Sequence, residues 1–430
     1  MTKYFYNIGH AAIFALVLAI PFQGYLKGFV GISLTMAEVL ANLAVLFMFL
    51  ANIKRLNTWP RYTPFNLIII LYLLARAISF FITPEPDLTL SDYLVVISSL
   101  MFFLAGLYAA DNYEQALKLI KLLLYVSVVS TLLGLVQVIM GASWISALIS
   151  SKIGGFIYGD YAQYASKMGG WYWQPVAAMG LARAIGPFFY ANPYCVYLGM
   201  VSSFAVTLVL VEKEKNKWLW VVILALALTN IILSQSRAGL MAISIIVLFL
   251  VFMFFGRAKK TQVFYTIVIG VIMITFVLAV LPYGTKSHIV EFTKTPIQEF
   301  SRWSIYQAYF AKVIENIWFG QGYNYSLLVR GYTQGPTAIH AHNLFLQEAW
   351  SYGIYPVIIL ILLNVVWLRV MIKAYLKQKD KNKRIMTLGC VIALSWFIFQ
   401  SFFDYTFNYG QLRELYWFLL GLSINVIKDA

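Results

Sequence analysis

The chain predicts an all-α polytopic integral membrane protein, with about twelve transmembrane helices and two long outer loops containing amphipathic helices. Three observations carry this. Of the 430 residues, 61% are hydrophobic and 11% charged, where a soluble domain has about a quarter charged. Apolar runs of about 20 residues, enough to cross a bilayer, recur along the chain. Lysine and arginine gather in alternate loops between those runs.

The runs lie near 8–26, 34–52, 64–83, 90–110, 116–140, 190–211, 218–234, 237–256, 263–282, 343–371, 386–404 and 411–427. The seventh and eighth are divided only by Ser234-Gln235-Ser236-Arg237-Ala238-Gly239, a tight turn. The expected division is 1–140 (spans one to five), 141–189 (outer loop), 190–283 (spans six to nine), 284–342 (large outer loop) and 343–430 (spans ten to twelve). No cleavable signal peptide is expected, because the first apolar run lacks a small-residue cleavage site and leads into further spans. The net charge of +15 sits mostly in short loops, which favours a membrane over nucleic acid. Cys195 and Cys390 both lie in apolar runs, so neither a disulfide framework nor a zinc site is expected.

Orientation follows from the positive residues. Lys54, Arg55 and Arg61; Lys118 and Lys121; Lys213, Lys215 and Lys217; Arg257, Lys259 and Lys260; and the cluster from Lys373 to Arg384 share one side with Lys3 and Lys428. By the positive-inside rule that side is the cytoplasm and holds both termini. The acidic Pro84-Glu85-Pro86-Asp87 falls outside.

The polar motifs collect on the outer side. Arg183-Ala-Ile-Gly186 precedes Asn192-Pro193, where Asn192 reads as a helix N-cap. Arg183 reads either as an interfacial anchor or as a phosphate ligand. Arg237 is crowded by Ser234, Ser236 and Gly239, and small residues let a ligand approach. A guanidinium fork there suits phosphate oxygens. Residues 297–316 have the spacing of a surface helix with Phe300, Trp303, Tyr306, Phe310 and Val313 on one face, placing Arg302 beside the headgroups. Gly320-x-Gly322 follows no strand and is too short for a dinucleotide site. Trp171, Tyr172 and Trp173 suit interfacial anchoring or sugar stacking. His340-Ala341-His342-Asn343 precedes the tenth span. The pair reads as a metal half-site or, better, as a source of a general base, since imidazole titrates near neutrality. No metal or other cofactor is expected.

Together these motifs resemble the O-antigen ligase and O-antigen polymerase superfamily. The resemblance rests on Arg183-x-x-Gly186 with Asn192, Ser234-x-Ser236-Arg237, Arg302-Trp303, Gly320-x-Gly322, and His342-Asn343 followed by Gly353. It implies an enzyme of the bacterial inner (cytoplasmic) membrane with a periplasmic active site. It implies an undecaprenyl-diphosphate-linked glycan as donor. The acceptor is lipid A-core for a ligase or a second lipid-linked glycan for a polymerase. The resemblance also implies that Arg237 and Arg302 hold the diphosphate and that His342 is the base; beside them Arg183, by its place before Asn192, is expected as a further diphosphate ligand. His340, Asn343, Ser236, Trp303 and Asn192 support them. The ligase pattern continues with Gly, Thr or Tyr three residues after the glycine; Pro356 stands there, so both activities stay open. A metal-dependent glycosyltransferase using Glu85 and Asp87, and a transporter using Arg76 and Glu38, are the competing classes.

Arg330→Cys and Lys379→Cys variants test the orientation. A membrane-impermeant maleimide added from outside labels position 330 and spares position 379. The reverse pattern overturns the span count.

Overall fold

The computed structural model describes residues 2–22, 25–29, 32–52, 64–81, 86–158, 183–188, 190–234, 236, 239, 302–322 and 340–427. Helices dominate. In chain order they are α1 (Thr2–Ala19), α2 (Met36–Asn52), α3 (Pro64–Phe80), α4 (Pro86–Tyr108), α5 (Tyr113–Ser150), α6 (Lys152–Tyr158), α7 (Ala191–Val211), α8 (Glu214–Leu233), α9 (Arg302–Glu315), α10 (Leu344–Tyr352), α11 (Ile354–Lys377), α12 (Lys381–Ser401) and α13 (Gly410–Val426). Stretches of α5 and α8, and the whole of α7, α11 and α12, are long and apolar enough to cross a membrane. Shorter apolar helices lie in α2, α3 and α4. The chain is a helical membrane protein. One antiparallel hairpin, β1 (Tyr25–Phe29) with β2 (Ile32–Thr35), departs from the all-helical expectation.

The reading of the spans needs three corrections. The first apolar run does not continue as helix to residue 26: α1 ends at Ala19, just before Pro21, and the chain then enters β1. A proline is disfavoured inside a helix, and it biases the residue before it away from helical geometry. The fifth helix does not end with its apolar run at residue 140: Gly141, at φ +81°, bends α5, which runs on to Ser150 and is followed by α6, within the stretch expected as an outer loop with helices. The tenth span is not one helix. Gly353, at φ +83°, separates α10 from α11. The eighth and ninth expected spans, 237–256 and 263–282, lie outside the described residues apart from Gly239, as does the aromatic cluster at 171–173.

The break at Gly353 is made by close backbone contact. A Cβ on Gly353 would stand 2.2 Å from the Trp318 carbonyl oxygen, and one on Gly320 would stand 2.6 Å from the Gly353 nitrogen. Gly320 itself is at φ +72°. The Gln321 and Gly322 amides donate to the Trp350 and Ser351 carbonyls at 2.9 and 3.0 Å, and the Ile354 amide donates to the Ile317 carbonyl at 2.8 Å. Backbone groups freed where the helix breaks are thus satisfied by the Gly320-x-Gly322 segment, as a water-poor interior requires.

α10 packs against α3, α9 and α11. Its polar residues Gln347, Glu348 and Ser351 are buried. Arg76 of α3 pairs with Glu348 at 3.3 Å. Glu38 makes no pair with Arg76; it is the partner of Thr35 in a capping box that starts α2, with Thr35 N donating to Glu38 Oε2 at 2.8 Å and Glu38 N donating to Thr35 Oγ1 at 3.0 Å. The last helix ties the halves together: Asn425 Nδ2 of α13 donates to the Leu107 carbonyl of α4 at 2.9 Å, and Trp367 Nε1 of α11 donates to Ser423 Oγ at 2.9 Å. Such side-chain bonds hold helices together where no hydrophobic effect separates protein from lipid.

Gly320→Ala and Gly353→Ala are each expected to lower the unfolding midpoint in detergent, since a non-glycine residue at such a φ costs about 1–3 kcal/mol and the added methyl meets backbone. Gly155→Ala in α6, where no atom lies within 4 Å of the new Cβ, should leave it unchanged or raise it. An unshifted Gly353→Ala protein would show that the junction is not constrained.

Candidate functional site

The site is built from two clusters. The first starts at residues 183–188, held by a side chain acting as a surrogate backbone. Gln137 of α5 accepts from the Ile185 and Gly186 amides at 3.1 and 2.8 Å and donates to the Gly186 carbonyl at 2.8 Å. Tyr158 of α6 donates to the same carbonyl at 2.9 Å. Burial pushes the Tyr158 phenol well above its ordinary range, so it stays a donor. Held this way, Arg183 reaches the end of α8, and its Nε donates to the Ser234 carbonyl at 2.7 Å. The Ala184 amide donates to the Leu233 carbonyl at 3.1 Å.

Two motifs 51 residues apart therefore meet. Ser234 and Ser236 are buried. Ser234 Oγ accepts from the Ser236 amide at 3.3 Å, and Ser236 Oγ accepts from the Gly239 amide at 3.4 Å. These bonds tie Ser234, Ser236 and Gly239 together, on either side of Arg237, which itself lies outside the described residues. A Cβ on Gly239 would stand 2.0 Å from Cys195 Sγ of α7, so glycine there is a packing requirement.

Asn192 is not the cap of α7. The helix begins earlier, with Tyr190 as N-cap and no side-chain capping bond, which leaves Asn192 and Pro193 within the first turn. A proline fits there because the amides of the first turn have no helical partner in any case.

The second cluster is at the start of α10. Asn343 is its N-cap: Oδ1 accepts from the Leu346 amide at 2.9 Å, and Nδ2 donates to the Phe402 carbonyl at 3.1 Å. His342 stands just before the cap at φ +47°, the one non-glycine residue with positive φ among the described residues. That conformation costs about 1–3 kcal/mol and persists only where its surroundings enforce it. The enforcing bonds are Ala341 N to Gln347 Oε1 at 2.9 Å and Tyr306 Oη to the His342 carbonyl at 3.0 Å.

Held there, His342 Nδ1 faces Asp404 Oδ1 at 3.4 Å. The imidazole is 30% exposed and the carboxylate 5%. The tautomer with its proton on Nδ1, toward Asp404, would leave Nε2 as the acceptor, the arrangement a base needs. The Tyr405 amide donates to Asp404 Oδ1 at 2.9 Å. The His340 ring lies 4.4 Å from the His342 ring and 6.0 Å from that of Tyr405. His340, His342 and Asp404 each offer one ligand-type atom, all within 4.8 Å of one another.

Arg302 opens α9; its side chain and those of Trp303 and Ser304 lie outside the described residues. The expected face of this helix needs correction. Tyr309 and Val313 are buried against α10, Tyr309 meeting Trp350 edge-on at 6.1 Å, while Phe310 is 60% exposed on the other side. The helix is apolar on two faces, one for protein and one outward.

The clusters are joined through residues 402–411. Gln411 Nε2 donates to the Pro187 carbonyl at 3.2 Å, and the Tyr190 and Tyr409 rings stand 6.2 Å apart. Asp404, Gln347 and Gln137 escaped the sequence reading. The one signal for Asp404 was a lone carboxylate ending an apolar run, which is costly to keep without a role.

Residues 221–362 match the family model described as O-Antigen ligase. That segment is similar to the O-antigen ligase family. It runs from within α8, through the turn at Ser234–Gly239, to within α11, and it contains Arg237, Arg302, Gly320, Gly322, His342 and Gly353. The match supports a membrane enzyme of the O-antigen ligase and polymerase type. Comparison with curated proteins gives no match. Arg183, Asn192 and Asp404 lie beyond the ligase-family segment; Arg183 meets it at Ser234 and Asp404 meets it at His342, both only in three dimensions.

Gly239→Ala should lower membrane abundance and unfolding midpoint, and Cys195→Ala should restore both by removing the sulfur that the methyl meets. Failure of that rescue would remove the packing account of Gly239.

Proposed function

We propose that the protein transfers an undecaprenyl-diphosphate-linked glycan en bloc to a sugar hydroxyl of lipid A-core, on the periplasmic face of the inner membrane with both termini cytoplasmic. The supporting observation is His342, half-buried and strained at the mouth of α10, with its Nδ1 turned to the buried carboxylate of Asp404. Nε2 takes the acceptor proton as the acceptor oxygen attacks the anomeric carbon. The bond from that carbon to the diphosphate breaks, undecaprenyl diphosphate leaves, and the anomeric centre inverts. Asp404 orients the imidazole and stabilises the imidazolium.

Charge grows on the diphosphate as the bond breaks, and fixed cations answer it without reorganisation. Arg237 and Arg302 have that role here. Arg183 acts with them by holding Ser234, three residues before Arg237. A polymerase runs the same chemistry with a second lipid-linked glycan as acceptor, and Pro356 in the ligase pattern keeps that activity beside the first.

A metal-dependent reaction is the second reading, favoured by one observation: His340, His342 and Asp404 converge with donor types that suit a divalent cation. In that case His342 is a ligand and not the base.

Release of undecaprenyl diphosphate in proteoliposomes, with lipid A-core or with donor alone as acceptor, separates these readings. His342→Ala should cost at least about 10²-fold, the usual share of a general base, and Asp404→Asn should follow it in direction. His340→Ala should be milder. Arg237→Ala and Arg302→Ala should each abolish transfer at unchanged abundance, with lysine a partial substitute because it lacks the fork. A fully active His342→Ala protein overturns the base. Loss of activity in EDTA, restored by a divalent cation, selects the metal reading. The acceptor that supports turnover decides ligase against polymerase.

A further inference from the structure

We propose that Arg76, in the N-terminal helices that carry no family motif, is a positioning residue for the reaction: through Glu348 it sets the placement of α10 and hence of His342. This rests on His342 being the base.

The observation is a charged network sealed in the protein. Arg76 is 2% exposed and Glu348 is fully buried. Arg76 Nη1 lies 3.3 Å from both Glu348 oxygens. Tyr72 Oη donates to Glu348 Oε2 at 3.0 Å, and Arg76 Nη1 donates to Tyr72 Oη at 3.0 Å. The Arg76 guanidinium carbon lies 3.8 Å from the centre of the Tyr352 ring. The cation thus grips α10 twice, at Glu348 and at Tyr352, from a helix 272 residues away in sequence.

Stability does not account for this. Removing two charges from water costs several kcal/mol per ion, and apolar residues of similar volume often serve a fold equally well. Apolar contacts of α10 with α9 and α11 are already present. Apolar faces tolerate sliding and rotation, whereas a charge pair with fixed partners specifies one azimuth. Glu348 is about 7.5 Å along the helix axis from Asn343, at 1.5 Å per residue, so a rotation or shift at Glu348 is carried to the cap and to His342. A misplacement of about 1 Å in a reacting group can cost about 10²-fold.

The test uses full-length protein in proteoliposomes, with undecaprenyl-diphosphate-linked glycan as donor and release of undecaprenyl diphosphate as readout. Four variants are compared: Arg76→Met with Glu348→Met, the swap Arg76→Glu with Glu348→Arg, Glu348→Gln alone, and His342→Ala. The double methionine protein is expected to keep its unfolding midpoint, to lose about 10²-fold in kcat, and to keep the donor KM. The swap should recover part of kcat. If the double methionine protein does not fold, Glu348→Gln, which keeps a hydrogen-bonding carbonyl for Tyr72 and Arg76 but loses the charge, must show a smaller kcat loss at unchanged KM. Wild-type kcat in a folded pair-less variant, or a loss confined to KM, overturns the positioning role. Inactive His342→Ala beside a fully active double methionine protein overturns this inference alone. Active His342→Ala overturns the base and this inference together.

Discussion

A nine-residue helix that must keep its place inside a membrane protein governs the geometry of this site. α10 is too short to hold itself by its own hydrogen bonds. It carries an amide, a carboxylate and a hydroxyl into the interior. Each needs a partner, because an unsatisfied polar group in such surroundings is costly. The partners come from four directions. Gly320-x-Gly322 closes the C-terminal end, Phe402 meets the cap residue, Arg76 meets the side, and the amide of Gln347 is turned back on the loop before the helix. The cost of burying polar groups becomes a means of fixing the helix.

What α10 presents is strain. His342 sits in left-handed backbone, a place where a bulky side chain is uncommon. The bonds to its carbonyl and to the preceding amide fix where the ring can go, and the ring goes to Asp404. The same economy governs the other cluster, where one glutamine replaces a strand of backbone partners and so delivers Arg183 to the end of α8. In both, a polar side chain from a membrane helix organises irregular chain, which at membrane depth is tolerated only when buried in protein or lining a cavity.

Gly320 and Gly353 of the family pattern, and Gly239 beside it, acquire a shared meaning. Gly320 and Gly353 stand far apart in sequence but are two sides of one junction, where backbone meets backbone with no room for a methyl. Gly239 makes room for a sulfur. Each is a packing position that helps to place an element carrying a residue proposed to act on the substrate.

The membrane class, and much of the helical layout, were determined by the sequence alone, because hydropathy and run length are local properties that a bilayer reads directly. The existence of α2, α3, α7, α8, α12 and α13 follows from apolar runs, and the ligase-family motifs were legible because short-range spacing carries them. Helix ends were less legible: Pro21 and Gly353 stop or break helices within runs that hydropathy treats as continuous, and past Gly141 the helix runs on where the apolar run has ended. Partners were not legible at all. Arg76 with Glu348, Arg183 with Ser234, and His342 with Asp404 are separated by 272, 51 and 62 residues, and no local pattern joins them. Only the packing of distant helices decided which charges meet, because the energy of a buried polar pair depends on distance in space and on exclusion of water, neither of which a single segment possesses.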